Sequence, residues 1–382
     1  MTLPDLQLIL RPGIIDFGWG HPRNDLLPAA DLRRAADAAL EHDGPAALAY
    51  GFEQGPGRLI EQLCGYLGRL DGEAPAPERI FITGGISHGL DLLCTLLTRP
   101  GEVVLVESPA YHLAQRIFRD HDLRLYPIPS DLQGVRIDAL EDALSRLHRS
   151  KQRAAFLYTI PTYCNPTGAC LPPERRAALI ALAERHNLLV LEDDVYRELW
   201  YDTPPPESLA YYGNPARVVR LGSFAKILAP GLRLGWLVAD PTIVQGCVRS
   251  GVLDSGGGVN HFTAHIVAEY LKMGLFADHL AGLRAAYRAQ RDALVTALQQ
   301  HLPTSCRFTT PGGGFFVWIQ LPEGKDSTTL LPHAEAAGVS FLRGAIFHSD
   351  GAGQNSIRLA FSLLSPEEME EGVRRLAAAV TR

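Results

Sequence analysis

Ser223-Phe224-Ala225-Lys226-Ile227-Leu228-Ala229-Pro230-Gly231-Leu232-Arg233-Leu234-Gly235 is the stretch on which the reading of this chain turns. It follows a short apolar run, Val218–Gly222, and sets small residues around a lysine. The 382 residues hold only four lysines: Lys151, Lys226, Lys272 and Lys325. An amine in that setting can condense with an aldehyde to a Schiff base. Asn165-Pro166-Thr167-Gly168 and Asp193-Asp194-Val195-Tyr196 stand upstream, each after another strand-like run. In open α/β sheets, ligands gather beyond such strand ends.

From Glu78 onward the chain alternates strand-like and helix-like segments. Arg79–Thr83, Val103–Glu107, Leu123–Ile128, Ala154–Ile160, Leu188–Glu192, Val218–Gly222 and Leu234–Ala239 read as strands. Helices are predicted over Ser87–Leu97, Tyr111–Asp120, Asp138–Arg149 and Pro173–Asn187. The strand runs are too apolar to face water on either side, so the pattern predicts a mostly parallel seven-stranded sheet between helices. After Gly274 the rhythm changes: a long helix over Leu275–His301, a strand at Phe315–Leu321, a helix at Thr328–Ala337, a strand at Ser356–Phe361 and a last helix over Pro366–Val380. That order predicts a smaller α+β domain, and the length suits one large and one small domain.

Composition excludes several classes of function. A net charge of −6 with no Lys/Arg-rich run argues against nucleic-acid binding. No apolar stretch is long enough to cross a bilayer, and the first residues show no basic-then-apolar signal pattern. Cys64, Cys94, Cys164, Cys170, Cys247 and Cys306 are scattered without a CxxC pair, as expected of free thiols in a reducing cytoplasm. His261 and His265 have helical spacing but lack the Glu of H-E-x-x-H and a third ligand, so no metal site is expected. Ser255-Gly256-Gly257-Gly258 reads as a flexible or closely packed loop.

Two segments carry further chemistry. Ile80-Phe81-Ile82-Thr83-Gly84-Gly85-Ile86-Ser87-His88-Gly89 reads as strand, glycine turn and helix start, where free N–H groups and the helix dipole attract an anion. It fits neither GxGxxG nor GxxxxGK[ST], which removes the dinucleotide and P-loop readings. Asp193 and Asp194 both follow a strand, and either could be the acid that faces a ligand.

Together these motifs resemble the class I/II aminotransferases among the fold-type I pyridoxal 5'-phosphate (PLP) enzymes, from about Asp16 to the C-terminus. Within that group the chain is similar to the branch acting on 2-aminoadipate and aromatic amino acids. The resemblance implies that Lys226 holds PLP as a Schiff base and, once freed, moves a proton from Cα to C4′. It places Asp193 at the pyridine nitrogen, Asn165 and Tyr196 at the ring hydroxyl and Tyr111 on the ring face. Gly85, Ile86, Ser87, Ser223 and Arg233 fall on phosphate positions. Ala225 stands where the pattern S-x-S-K has its second serine, a lost donor worth about 1 kcal/mol. Arg358 matches the arginine that clamps the substrate α-carboxylate, with a backbone contact from Gly20. Tyr50 matches a tyrosine that reaches the neighbouring subunit's phosphate, which implies a homodimer with a shared site. Arg343 replaces the Pro usual before Gly344 and stands either near the substrate side chain or on the surface. The implied division is an N-terminal segment, 1–39, packing with the small domain, a large domain, 40–274, and a small domain, 275–382. Substrates would be an L-amino acid and a 2-oxo acid. The alternatives on the same fold are β-elimination as a C–S lyase, a decarboxylating or deaminating reaction, and, remotely, a PLP-sensing regulatory domain.

Overall fold

The computed structural model describes residues 6–9 and 11–381; residues 1–5 and 10 of the expected N-terminal segment, and Arg382, lie outside the described residues. The first strand, β1 (Ile15–Asp16), pairs in parallel with Val339–Ser340. The main sheet is built from β2 (Ile80–Thr83), β3 (Val103–Ser108), β4 (Arg124–Asp131), β5 (Gly134–Val135), β6 (Ala154–Thr159), β7 (Leu189–Asp193), β8 (Val218–Ser223) and β9 (Gly235–Val238). Their spatial order is β2-β9-β8-β7-β6-β3-β4-β5. β9 runs against β2 and β8, β5 against β4, and all other pairs are parallel.

The sheet therefore has eight strands where seven were expected. The additional one is β5, two residues that fold back on the end of β4 with Gly134 at φ 94°. Two residues are too few to show a periodicity. Elsewhere in the sheet, alternation decides the packing. In β3, Val104 and Val106 pack with Phe118 of the helix His112–Asp120, while Val103 and Leu105 pack on the opposite face with Leu140 and Leu144 of the helix Ile137–Arg149. All six residues of β3 are buried. That is why the sheet reads as continuous apolar runs.

The C-terminal part adds β10 (Arg307–Phe308), β11 (Phe316–Gln320), β12 (Val339–Ser340), β13 (Leu342–Arg343) and β14 (Ser356–Ala360), four of which form an antiparallel sheet in the order β10-β11-β14-β13. The helix Leu275–His301 runs unbroken for 27 residues and packs against the last helix, Pro366–Thr381. Near the N-terminus, Phe17 bridges β12 and β14: its N–H donates to Ser340 O and its carbonyl accepts from Ala360 N–H. The boundary drawn after residue 39 falls inside the helix Ala29–Asp43, which packs against His261–Lys272. The carboxyl ends of β6, β7 and β8 and the helix start after β2 thus face β14. The candidate site lies between them.

Candidate active site

Asp193 ends β7 and is 3% exposed. Its Oδ2 accepts from the Tyr158 hydroxyl of β6 at 2.7 Å, while its buried Oδ1 has no partner. Burial pushes its pKa up to about 7, against the pull of the Tyr158 bond and with some repulsion from Asp194. Asp194 leaves the chain on the other side. Its Oδ2 takes Arg220 Nη2 at 2.7 Å, and Arg220 continues through Asp71 to Arg197. Of the two acids, Asp193 faces the site and Asp194 is engaged in a buried ion network.

Lys226 follows β8. Its Nζ donates to Gly20 O at 2.9 Å and stands 6.0 Å from the centroid of Phe315. Burial first, then the charges of Arg358 and Arg233, lower its pKa to about 8. Arg233 sits in the left-handed region at φ 48° and its backbone carbonyl accepts from the Asn260 side chain. Its guanidinium is tethered to Pro230 O at 3.3 Å and Gly84 O at 3.5 Å. A Cβ at Gly85 would stand 3.2 Å from Nη2, and Gly85 itself has φ 86°. Gly85 caps the helix Ile86–Leu97, whose first N–H groups, with exposed Ser87 and half-buried Ile86, open toward this cation. Buried Ser223 accepts from Ala225 N–H at 3.1 Å and donates weakly to Leu234 O at 3.4 Å. The arrangement is an anion cup in which Arg233 pairs with no carboxylate among the described residues.

Arg358 rises from β14 on the facing side. It is 3% exposed, donates through Nη1 to Asn165 Oδ1 at 3.0 Å and through Nη2 to Gly18 O, and its Nε has no partner. The guanidinium lies 4.2 Å from the Phe316 centroid and 5.2 Å from that of Phe347. Burial without a paired carboxylate lowers its pKa to about 10. Tyr196 packs edge-on to Phe315 and Phe316 and is charge-coupled to Tyr111, Arg358 and Asp193. Tyr111, the N-cap of the helix His112–Asp120, is raised in pKa by burial and by Asp193.

The structure thus gathers Gly20, Gly85, Ile86, Ser87, Tyr111, Asn165, Asp193, Tyr196, Ser223, Lys226, Arg233 and Arg358 around one region. Tyr50 is not among them: it is 89% exposed within the single chain. Arg343 is half-buried on β13 beside Ile357. Ser255 and Gly256 end a short helix, Gly251–Gly256, while Gly257 and Gly258 pack against the backbone of Gly51 and Phe52. His265 pairs with Asp43 at 2.7 Å and His261 bonds Ala46 O at 3.1 Å, and no metal-binding cluster occurs among the described residues. Tyr158 and Phe347 were not anticipated. The first hides in an apolar strand, and the second gains its meaning only from where the 344–347 turn meets Arg358.

An orphaned carboxylate oxygen, an amine of lowered pKa, an anion cup and a second unpaired guanidinium fit an aromatic nitrogen, an aldehyde, a phosphate and a carboxylate in turn. The comparisons agree. The aminotransferase class I and II family matches residues 12–376. The aromatic-amino-acid aminotransferase 1 of Thermococcus litoralis is 31% identical over 98% of this chain and 90% of its own. A kynurenine aminotransferase structure from Pyrococcus horikoshii, in complex with PMP, superposes with a TM-score of 0.92 at 33% identity, over 97% of this chain and 91% of that one. An alpha-aminoadipate aminotransferase structure from Thermus thermophilus, complexed with N-(5'-phosphopyridoxyl)-L-leucine, gives a TM-score of 0.87 at 34% identity over 97% and 92%. With the family pattern spanning nearly the whole chain, this protein belongs to the class I and II aminotransferases.

Proposed function

We propose that this protein is a PLP-dependent transaminase that works through Lys226 on L-amino acids with large side chains, aromatic or long. One observation carries the reading of the site: the Lys226 amine, lowered to about 8, lies under the charges of two arginines that form no ion pair with a carboxylate among the described residues. PLP, when bound, supplies the aldehyde that takes the amino group and a ring that accepts the electron pair released at Cα. Lys226 would hold it covalently and, when released, act as base and acid at Cα and C4′. Asp193, through its free Oδ1, would keep the ring nitrogen protonated; Asn165 and Tyr196 would meet the ring hydroxyl and Tyr111 the ring face. Arg233, Ser223, Ser87 and the N–H groups after Gly85 would hold the phosphate, with Tyr50 joining from the second subunit of a homodimer. Arg358 would take the substrate carboxylate as a planar two-pronged donor. The choice of large side chains is supported by the aromatic wall of Phe316, Phe347 and Trp318 near Arg358 and by the names of the relatives.

Borohydride reduction of the holoprotein should fix the cofactor to a peptide containing Lys226. Single-turnover mixtures with L-phenylalanine or L-2-aminoadipate should then yield a 2-oxo acid and pyridoxamine phosphate in equal amounts by mass spectrometry. Attachment at Lys151, Lys272 or Lys325 would overturn the lysine assignment. Pyruvate and a thiol from a cysteine conjugate, with the cofactor recovered as PLP, would replace transamination with elimination.

A further inference from the structure

Gln115 lies one helical turn beyond Tyr111, whose carbonyl accepts its backbone N–H, and is 1% exposed; its side chain bonds no side chain assigned above to cofactor or substrate. Its amide Nε2 donates to Phe347 O at 2.8 Å, with a longer bond to Ala110 O at 3.4 Å. The same Phe347 carbonyl accepts the Ala110 N–H at 3.0 Å, and Ser108 Oγ meets His348 Nδ1 at 3.1 Å. Three bonds therefore fasten residues 347–348 to the segment that leads into Tyr111. The Phe347 ring is fully buried and touches three groups: the Arg358 guanidinium at 5.2 Å, His112 edge-on at 5.1 Å and Trp318 edge-on at 5.8 Å. With Phe316 at 4.2 Å, Phe347 flanks a guanidinium that forms no ion pair among the described residues. A buried cation so placed draws on the ring faces around it. A ring that drifts leaves only the bonds to Asn165 Oδ1 and Gly18 O to hold it.

We infer that Gln115 is a positioning residue for substrate binding: by clamping the Phe347 carbonyl it holds the Phe347 ring against Arg358 and so keeps the carboxylate-binding arginine in place. The inference rests on the reading of Arg358 as the carboxylate partner. Its reach is specific. Losing the Gln115 bond weakens carboxylate binding and leaves cofactor binding unchanged, because no bond from Gln115 runs to Asp193, Lys226 or Arg233.

The test uses the holoprotein and 3-phenylpropionate, a carboxylate without an amine, whose binding is followed by the cofactor's absorbance. Steady-state turnover of L-phenylalanine and of phenethylamine, which lacks the carboxylate, gives a second readout. Gln115→Leu, and Gln115→Met should the first variant not accumulate, keep the side chain's bulk and remove the donor. Expected are a Kd for 3-phenylpropionate and a KM for L-phenylalanine raised about tenfold, the effect of one lost buried hydrogen bond. The PLP Kd, kcat for L-phenylalanine and kcat/KM for phenethylamine should stay at wild-type values. Phe347→Leu, which keeps the carbonyl but not the ring, should raise the same Kd and KM. If Arg358→Lys raises the Kd and Gln115→Leu does not, the positioning role falls and the Arg358 reading stands. If Arg358→Lys leaves the Kd unchanged, the carboxylate reading itself fails. Equal losses toward PLP and carboxylate in Gln115→Leu would show a merely structural residue.

Discussion

Asp193 and Asp194 are adjacent in sequence and opposite in environment. Each keeps one buried oxygen without a donor, but Asp194 is compensated by Arg220 at 2.7 Å, whereas Asp193 forms no ion pair among the described residues. The pKa of Asp193, raised to about 7, carries a consequence for the apoprotein. A carboxyl whose folded pKa lies above its unfolded value contributes stability at low pH, and that contribution is lost as pH climbs through about 4 to about 7. Asp193→Asn should therefore raise the apoprotein's melting temperature at pH 8 and have little effect at pH 4, while lowering turnover by roughly 10²–10³-fold. Asp194→Asn should instead destabilise the protein by about 3 kcal/mol, because buried Arg220 loses one of its two acid partners. Scanning calorimetry at the two pH values checks both, and a stabilised Asp194→Asn with a destabilised Asp193→Asn would exchange their roles. Lys226 sets a second titration. Its amine reacts only when deprotonated, and a pKa lowered to about 8 makes that form plentiful at lower pH than an ordinary lysine allows. PLP uptake by the apoprotein should accelerate with pH and level off above about 8. A rate still climbing tenfold per pH unit beyond that point would contradict it.

The glycine turn and helix start after β2 offer backbone N–H groups, so how closely other chain segments approach decides what the turn can hold. A Cβ on Gly235 would stand 2.6 Å from Gly222 O and 3.0 Å from Gly85 Cα, which explains glycine at the β9 edge beside the cup. Arg233 is the cation of that cup, and Arg233→Ala should weaken PLP binding roughly 10–100-fold by removing a charge-assisted phosphate contact. Pyridoxal, which lacks the phosphate, should bind wild type and variant alike; equal losses for both would place Arg233 elsewhere in function. Elements of this kind differ in how far the sequence discloses them. β3 is legible because a strand buried on both faces must be apolar at every position, as Val103-Val104-Leu105-Val106 is. The helix Gly57–Asp71 is not, although Leu59, Ile60, Leu63 and Leu67 form a buried stripe, because Gly57, Gly65 and Gly68 interrupt the propensity signal. The motif residues of the site stand out through their order and spacing. Its missing bonds do not: Asp193 Oδ1, Arg358 Nε and the hold of Gln115 on Phe347 exist only after β6, β7, β14 and the 344–347 turn have been brought together.

At the scale of the whole molecule, one region of the single chain looks unfinished. Leu48, Tyr50 and Phe52 are 67%, 89% and 62% exposed, a run of large side chains turned outward. Their backbone is nevertheless held in place. His261 bonds Ala46 O at 3.1 Å, Gly258 N–H bonds Gly51 O at 3.2 Å, and Gln54 secures β2 through its bond with Ile82 N–H at 2.9 Å. A well-anchored segment that presents apolar side chains to water is the mark of an interaction surface. The proposed occupant is a second copy of this chain, with Tyr50 completing the neighbour's phosphate cup. Mixing separates the arrangements. A Lys226→Ala chain keeps Tyr50 but has no amine, and a Tyr50→Phe chain keeps the amine but lacks the hydroxyl. If Tyr50 acts across the interface, each heterodimer regains one intact site, in the subunit that retains Lys226. Random 1:1 reassociation, assayed at limiting PLP, should then restore about a quarter of the wild-type activity, since half of the dimers are mixed and each carries one of two sites. Tyr50 acting within its own subunit gives no intact site in any combination. Heterodimers verified by mass spectrometry that show no recovery would sink the shared site, while a chain that sediments as a monomer at assay concentration would sink the dimer itself.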